Sequence, residues 1–293
     1  MAGYAFTRLR SPARTVARRD GRVVATLTDG ARTAVLAGPR RVFAEPRTTS
    51  ARVVSTSWVR YLPRPWQAGG ERSPWFASWL PQALGNRSPD VLASSLQYVS
   101  GSPSRRNGSG TRYAGDASFG QKNSDGTTGA RDEGGDFYDY LGVRWTFPGG
   151  LRRAPDKGRY NTVDCSGYLR LVIGYRSGYP LSGDESTRYG LPRRAINMAR
   201  QGPGVTVVAN RGGRPRGFGA LAPGDLVLFN NDPKDGPQVD HVGIYLGVDT
   251  EGHHRFVSSR KVADGPTMGD VGGASRLDGP GYYPDAFRQV RRI

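Results

Sequence analysis

The chain has few of the side chains that usually carry out nucleophilic chemistry. Its 293 residues include one cysteine, Cys165, and three histidines, His241, His253 and His254. A single cysteine excludes a disulfide within the chain. It also reduces the search for a cysteine–histidine catalytic pair to one thiol and three imidazoles.

Long apolar runs are also missing. No stretch approaches the ~18 consecutive apolar residues that a transmembrane helix needs. The first ten residues contain no apolar core of the kind found in signal peptides. The sequence therefore leaves three possibilities open. The protein stays inside the cell, it is exported without a typical signal peptide, or its signal peptide has been lost.

Acidic residues are too few to balance the basic ones, and lysine is scarce. The formal net charge is +17, the pI is about 10.5, and only four of the 42 basic residues are lysine. Arginine-rich composition follows from GC-rich codons, but it also attracts polyanions. The arginines are scattered, with no basic run interleaved with aromatics, so we expect no nucleic-acid partner. We expect instead an electrostatic attraction to anionic cell-wall polymers.

The first part of the chain predicts a small β-rich module. Hydrophobic residues make up only 36% of the chain, and 42 glycines and 21 prolines indicate many turns. Between residues 15 and 60, short β-branched segments are bounded by the turn signals Asp20-Gly21 and Asp29-Gly30. We assign residues 1–80 to an accessory module. Its tryptophans fit a core better than a sugar-stacking surface.

The second part, residues 86–293, predicts a larger domain. Ser88-Pro89-Asp90 is a typical helix start, and a Gly/Ser-rich segment at about 101–135 is either a linker or an insertion. From Cys165 onward, two helical segments precede strands at residues 225–229, 241–246 and 255–258. Helices first and strands afterwards indicate an α+β architecture.

Cys165 and His241 are the candidate catalytic pair. Cys165 stands in Asp164-Cys165-Ser166-Gly167 at the start of a predicted helix. A helix N-terminus lowers a thiol's pKa, and its free N–H groups can hold an oxyanion. His241 begins a strand of alternating pattern, so the side chains on one face of that strand can point toward the start of the helix. The alternative is a buried cysteine with an unrelated histidine.

Several linked motifs resemble the NlpC/P60 family, in the family's order over residues 160–293. The segment Asp164 to Leu169 is similar to the nucleophile motif, and Leu191-Pro192-Arg193 to the element after it. Residues 222–229 resemble the strand before the histidine motif, and residues 240–247 the histidine motif itself. The C-terminal segment, residues 282–292, is similar to the closing strand. The whole chain looks like actinobacterial members of the family.

This resemblance implies a papain-like α+β fold, with N-terminal helices packed on an antiparallel sheet. It implies a hydrolase that needs no cofactor or metal and cleaves amide bonds in peptidoglycan stem peptides. Asp164 and Ser166 would help bind that substrate. We expect a monomer that is secreted or associated with the cell envelope, with a cytoplasmic location as the alternative.

The chain departs from the family at two candidate site positions. Many members carry a third polar residue, often histidine, where the resemblance places Ser258, so Ser258 is the predicted orienting residue and His254 the alternative. The family's tyrosine before the nucleophile corresponds best to Trp145, which we therefore predict to bind substrate. Tyr113 is the runner-up.

Two further functions stay open beside the peptidase. The first is a wall-binding protein whose NlpC/P60 domain is inactive or weakly active. The second is an acyltransferase or amidase on the same fold. The pair Cys165 and His241 favours the peptidase.

Overall fold

The computed structural model describes residues 3–122 and 131–293, and it begins with a five-stranded antiparallel sheet. The strands follow one another in chain order. They are β1 (Ala5–Arg10), β2 (Ala13–Arg19), β3 (Arg22–Thr28), β4 (Thr33–Ala44) and β5 (Arg52–Tyr61). The turn from β2 to β3 is Asp20-Gly21, where both residues have positive φ. This geometry suits a two-residue hairpin.

Helix α1 (Pro74–Gly85) covers one face of this sheet and closes a small core around Trp66 and Phe76, which are fully buried. Trp58 is also buried, and Trp75 and Trp79 pack against the same cluster. The tryptophans of this region thus contribute mainly to packing.

A second group of elements follows, in which helices come before a six-stranded sheet. The helices are α2 (Val91–Ser95), α3 (Phe137–Leu141), α4 (Cys165–Leu169), which continues as a π-helix (Arg170–Arg176), and α5 (Ala195–Gln201). Two short hairpins, β6 (Arg105–Arg106) with β7 (Arg112–Ala114) and β8 (Trp145–Thr146) with β9 (Arg152–Arg153), lie between α2 and α4.

The sheet itself is antiparallel throughout its paired strands. Its order is β10 (Val205–Val208), β15 (Phe287–Arg292), β11 (Leu226–Phe229), β12 (His241–Val248), β13 (His254–Arg260) and β14 (Gly265–Thr267). The short helix α6 (Tyr282–Ala286) leads into β15. Helix α4 packs on β12 and β13. The predicted α+β fold class, with a β-rich region before helices on an antiparallel sheet, is confirmed.

The two sheets share a core. Phe43, Val53 and Val59 of the first sheet pack into the same buried cluster as residues of α4, β11 and β12. Backbone pairing joins Val53 to Asp249, and the buried Glu45 carboxylate accepts hydrogen bonds from the Thr267 hydroxyl and the Met268 N–H. The division at residues 1–80 and 86–293 stays a prediction, and the first sheet braces the second.

The segment predicted as a linker or insertion, residues 101–135, is packed on the domain where the structure describes it. Ser118 bridges to Thr162, and the Phe119 N–H donates to Asp264. Residues 123–130 lie outside the described residues. The packed parts are typical of an insertion. Within residues 3–122 and 131–293, no helix combines the length and apolarity needed to cross a membrane.

Candidate active site

Asp164 sets the start of the helix that carries the single thiol. Its carboxylate accepts the Gly167 N–H at 2.7 Å, which caps helix α4 and makes Cys165 the first helical residue. Gly167 has to be small, because a Cβ there would lie 2.1 Å from the Gly135 carbonyl oxygen. Ser259 of β13 donates to the Val163 carbonyl at 2.6 Å and so ties the cap to the sheet.

The Cys165 sulfur lies against the backbone at the start of β12. Its Sγ donates to the Asp240 carbonyl at 3.9 Å, and the Val242 N–H also points at the thiol. Burial raises the pKa of Cys165, and the adjacent Asp164 carboxylate raises it further. The lowered pKa expected from the helix N-terminus is therefore not found, since desolvation by the packed sheet outweighs the helix end.

His241 is the first residue of β12 and is buried at 8% exposure. Its ring lies between aromatic neighbours, with centroids 5.8 Å from Phe229 and 5.7 Å from Tyr283. Nε2 is buried and has no hydrogen-bond partner in the described part of the chain. Burial, with the charge of Arg260 as the next cause, lowers the pKa of His241 to about 3.

The structure brings Cys165 to the backbone on either side of His241, at the Asp240 carbonyl and the Val242 N–H. Among the described residues, the thiol hydrogen-bonds to the Asp240 carbonyl and not to the imidazole. The raised pKa of Cys165 and the lowered pKa of His241 both disfavour a resting thiolate–imidazolium pair. The arrangement is suited to proton transfer that occurs only as the thiol attacks.

Ser258 lies on β13 close to the His241 strand, but its hydroxyl is engaged elsewhere. A Cβ built on Gly243 would be 3.2 Å from the Ser258 Cβ, so the two positions face each other. The Ser258 Oγ accepts Nε–H of the buried Arg260 at 3.2 Å. In the described structure the hydroxyl makes no hydrogen bond to His241. Ser258 as the orienting residue stays a prediction.

His254, the alternative orienting residue, stands at the far end of the same strand. It pairs with Val248, which is seven residues along β12 from His241, or roughly 23 Å in a strand. Its Nδ1 hydrogen-bonds to the Tyr245 hydroxyl at 2.7 Å, and its ring stacks on Phe218. His254 therefore cannot reach the His241 imidazole.

A buried ionic network surrounds the predicted substrate residues Asp164 and Ser166. Arg193 Nη2 pairs with Asp164 Oδ2 at 2.6 Å, and its Nη1 donates to the Ser166 Oγ at 2.7 Å. Arg193 also approaches Asp136, whose carboxylate is held by the fully buried Arg170. Burial alone would raise the pKa of Asp164, but the charge and hydrogen bonds of Arg193 outweigh it, and the pKa falls below its ordinary value.

Trp145 lies beside later turns of the helix rather than at its first. Its ring packs edge-on against Phe137 at 5.0 Å and Tyr175 at 5.9 Å. Tyr175 is ten residues after Cys165, about 15 Å along a helix. Tyr113, the runner-up, lies under the Arg176 guanidinium near the helix end. Substrate contact by Trp145 stays a prediction.

Sequence reasoning missed three side chains of this site: Arg193, Arg260 and Tyr283. Arg260 lies over the Tyr283 ring at 4.3 Å, and that ring also contacts His241. Arg193 stands in the quoted Leu-Pro-Arg motif, which was a usable signal. Nothing in the sequence separates Arg260 from the many other arginines. No cluster of three or more His, Cys, Asp or Glu side chains within residues 3–122 and 131–293 is placed to hold a metal ion.

Comparison with known proteins assigns the domain that contains this site. The NlpC/P60 family matches residues 142–271, a range that includes all six predicted site residues. No curated protein matches the chain.

Two solved structures are similar to parts of the chain. An NlpC/P60 family protein from Bacillus cereus is 23% identical, with 45% of this chain and 32% of that chain covered and a TM-score of 0.29. A Staphylococcus aureus protein described as similar to lipoprotein, NLP/P60 family, is 17% identical, with 80% and 51% covered and a TM-score of 0.30. The chain thus spans about half or less of the length of these proteins. On the family match, residues 142–271 are an NlpC/P60 domain, and members of the NlpC/P60 family are generally cell-wall peptidases.

Proposed function

We propose that the protein is a cysteine endopeptidase or amidase that hydrolyses amide bonds in peptidoglycan stem peptides. The observation that carries this proposal is the seating of Cys165, the first residue of helix α4, against the backbone at His241 in an NlpC/P60 domain. Because peptidoglycan lies in the cell envelope, the proposed place of action is outside the cytoplasm or in the envelope. The proposed working unit is a monomer.

In the proposed reaction the Cys165 sulfur attacks the carbonyl carbon of the scissile amide. The thiol proton passes to His241, and the carbonyl oxygen becomes an oxyanion that backbone N–H groups at the start of α4 can stabilise. Collapse of this intermediate breaks the C–N bond, and the imidazolium returns its proton to the leaving amine. Water then attacks the thioester, with His241 as base, and frees the acid and the thiol.

The charge distribution supports a general-base route rather than a preformed ion pair. The lowered pKa of His241, caused by burial and Arg260, keeps the resting imidazole neutral, and it also makes the imidazole a weaker base. The raised pKa of Cys165 keeps the proton on sulfur until attack. Substrate that displaces water from the site adds to this desolvation.

Asp164, Ser166 and Trp145 are the proposed substrate-binding residues. Arg193 holds the Asp164 carboxylate and the Ser166 hydroxyl in place, so they form one polar surface next to the thiol. A positively charged or N–H-bearing group of a stem peptide would suit the carboxylate. Trp145 would contribute an apolar wall further along the helix.

The test is hydrolysis of purified peptidoglycan and of soluble stem peptides by the full chain and by Cys165→Ala. We expect new amine ends with the natural chain and none with Cys165→Ala, while thermal unfolding of the two stays alike. His254→Ala is the matched control, because it changes an imidazole far from the thiol. Undiminished hydrolysis by Cys165→Ala would exclude the cysteine mechanism.

A wall-binding protein without turnover is the second candidate. One observation favours it: the buried cation Arg260 lowers the pKa of His241 and so opposes the imidazolium that the reaction must form. If the natural chain sediments with peptidoglycan but releases no amine ends, this second function is the correct one. An acyltransferase would reveal itself by consuming an added amine in place of water.

A further inference from the structure

A groove of about 800 Å³ lies outside the candidate active site. It is bounded by the β6–β7 hairpin, by the residues that follow α3, and by the loop after β9. None of the residues placed in the candidate active site lines it. Its floor is apolar, with the buried Leu141, and its walls are polar.

The walls of this groove are strongly basic. Four cations line it, namely Arg106, Arg112, Arg144 and Lys157, against one carboxylate, Asp156. The whole chain has 42 basic and 25 acidic residues, so the excess in the groove is well above the average. Arg152 and Arg153 of β9, both exposed, stand directly before the lining residue Ala154 and add to the charge.

Most of this charge is free to act on a ligand. Arg112 is paired with Asp116 at 2.8 Å, and Arg159 approaches Asp156 at 4.0 Å, so these carboxylates and cations offset each other. Arg106, Arg144 and Lys157 are exposed and form no ion pair within 4.0 Å in the part of the chain that the structure describes. Three uncompensated cations around one concave surface attract an anion with several charges.

We infer that this groove binds a flexible linear polyanion whose repeating charge is a phosphodiester. Arginine forks fit phosphate oxygens, and spaced cations suit spaced phosphates better than one compact anion. Sites for single-stranded nucleic acid interleave cations with several stacking aromatics. Here the exposed aromatic of the lining is Tyr160, so the geometry favours a polymer without bases.

This inference goes beyond the proposed peptidase activity, because the groove would hold the protein on an anionic envelope polymer while Cys165 acts on a peptide. The proposal of polymer binding and the proposal of peptidase activity can each be wrong without the other. Binding of a phosphodiester polymer involves no amide hydrolysis, and hydrolysis of a soluble stem peptide does not require the groove.

The experiment titrates fluorescein-labelled poly(glycerol phosphate) with the full chain and follows anisotropy at several salt concentrations. The test variant is Arg106→Gln/Arg144→Gln/Lys157→Gln. The control is Arg10→Gln/Arg18→Gln/Arg22→Gln, which removes the same charge from exposed positions of the first sheet. We expect the groove variant to bind about tenfold more weakly at low salt, with the slope of log K against log salt reduced by about 2. The control variant should bind the polymer with an affinity within about twofold of that of the natural chain at the same salt concentration.

Three results would overturn the inference. The first is an equal loss with the control, which would mean attraction by net charge alone. The second is unchanged binding by the groove variant. The third is tighter, groove-dependent binding of an oligothymidylate of matched charge, which would make the partner a nucleic acid. If the triple variant is unstable to heat, Arg144→Gln alone serves, because Arg144 is exposed and a smaller loss of affinity is then expected.

Discussion

Arg260 stands across from His241 in the paired strands β12 and β13. The register that pairs Ile244 with Val257 and Tyr245 with Phe256 sets residue 260 opposite residue 241 when it is continued. Arg260 is 3% exposed and is held by the carbonyl oxygen of Gly273 and the hydroxyls of Ser258 and Ser275. The predicted base therefore has a fixed cation as its neighbour.

Arg260→Gln should raise the pKa of His241 from about 3 toward the ordinary value of 6.5, because it removes the positive charge that opposes imidazolium. The pKa should stay below 6.5, since burial is the larger cause and is retained. Asp164 and Tyr283 also face the ring, and the variant leaves them in place. NMR titration of the three imidazoles measures this, with His253 and His254 as internal references. An unmoved His241 signal would show that Arg260 is only structural.

The buried imidazole should make the protein less stable as the pH falls. Because the folded-state pKa of His241 is lowered, the unfolded chain binds a proton at this side chain between pH 6.5 and about 3, whereas the folded chain does not. The contribution of His241 to the free energy of unfolding is therefore complete above pH 6.5 and is lost as the pH falls. Between pH 7 and 5, the natural chain should lose about 2 kcal/mol more than His241→Gln in urea unfolding. His254 is common to both proteins and cancels. Parallel pH profiles would contradict the buried neutral imidazole.

Asp164→Asn should make the thiol more reactive. Asn can still cap helix α4, while loss of the carboxylate removes one cause of the raised pKa of Cys165 and leaves Arg193 with only the more distant Asp136 carboxylate as a partner. We expect the pH midpoint of iodoacetamide labelling to fall by about one unit from a natural value above 8.5. Ser166→Ala is the control, since it removes an Arg193 contact without changing charge. A midpoint that does not move in Asp164→Asn would mean that burial alone controls the thiol.

Ser258→Ala should lower turnover modestly, and His254→Ala should change it little. As the predicted orienting residue, Ser258 would supply one neutral hydrogen bond to the His241 imidazole, and its loss would cost about 1 kcal/mol, or up to roughly tenfold in kcat. His254 is tied to Tyr245 and Phe218 at the other end of the strand. Steady-state kinetics on a soluble stem peptide measures both variants. A silent Ser258→Ala beside a damaging His254→Ala would refute the strand register proposed for the site.

Residues 81–293 alone should fail to fold into a stable unit. Truncation removes Phe43, Val53 and Val59 from the shared core and leaves the partners of the Glu45 carboxylate unsatisfied. Loss of residues 1–10 is the control, because β1 is a mostly exposed edge strand. Thermal unfolding by circular dichroism should show a cooperative transition for the control and none for residues 81–293. A fragment that melts cooperatively and hydrolyses peptides would make the first sheet dispensable.

Local signals in the sequence were sufficient for the elements that carry the predicted pair. Asp164 caps its helix through a bond three residues away, so the start of α4 at Cys165 could be predicted from a short segment. The strands that begin near residues 226, 241 and 254 are apolar and continuous, and were predicted to within about two residues at most ends.

The neighbours of the pair depend on contacts between distant residues, and these were not predictable. Arg260 reaches His241 only through the register of β12 and β13, which the intervening turn and bulge determine. The thiol's high pKa arises from the packing of β12 on α4, while the sequence shows only the favourable helix end. Arg193 enters the site from a segment almost thirty residues after Asp164.

The core shared by the two sheets has a consequence for how the chain folds during synthesis. The hairpins β1 to β5 have their own small core and can form early, but Val53 and Val59 await partners in β11 and β12 that are made much later. The Arg52–Thr250 hydrogen bond, for example, closes a separation of 198 residues. Contacts of such long range slow folding and leave apolar surface uncovered meanwhile. The incomplete chain therefore leaves Val53 and Val59 without these partners until β12 has left the ribosome.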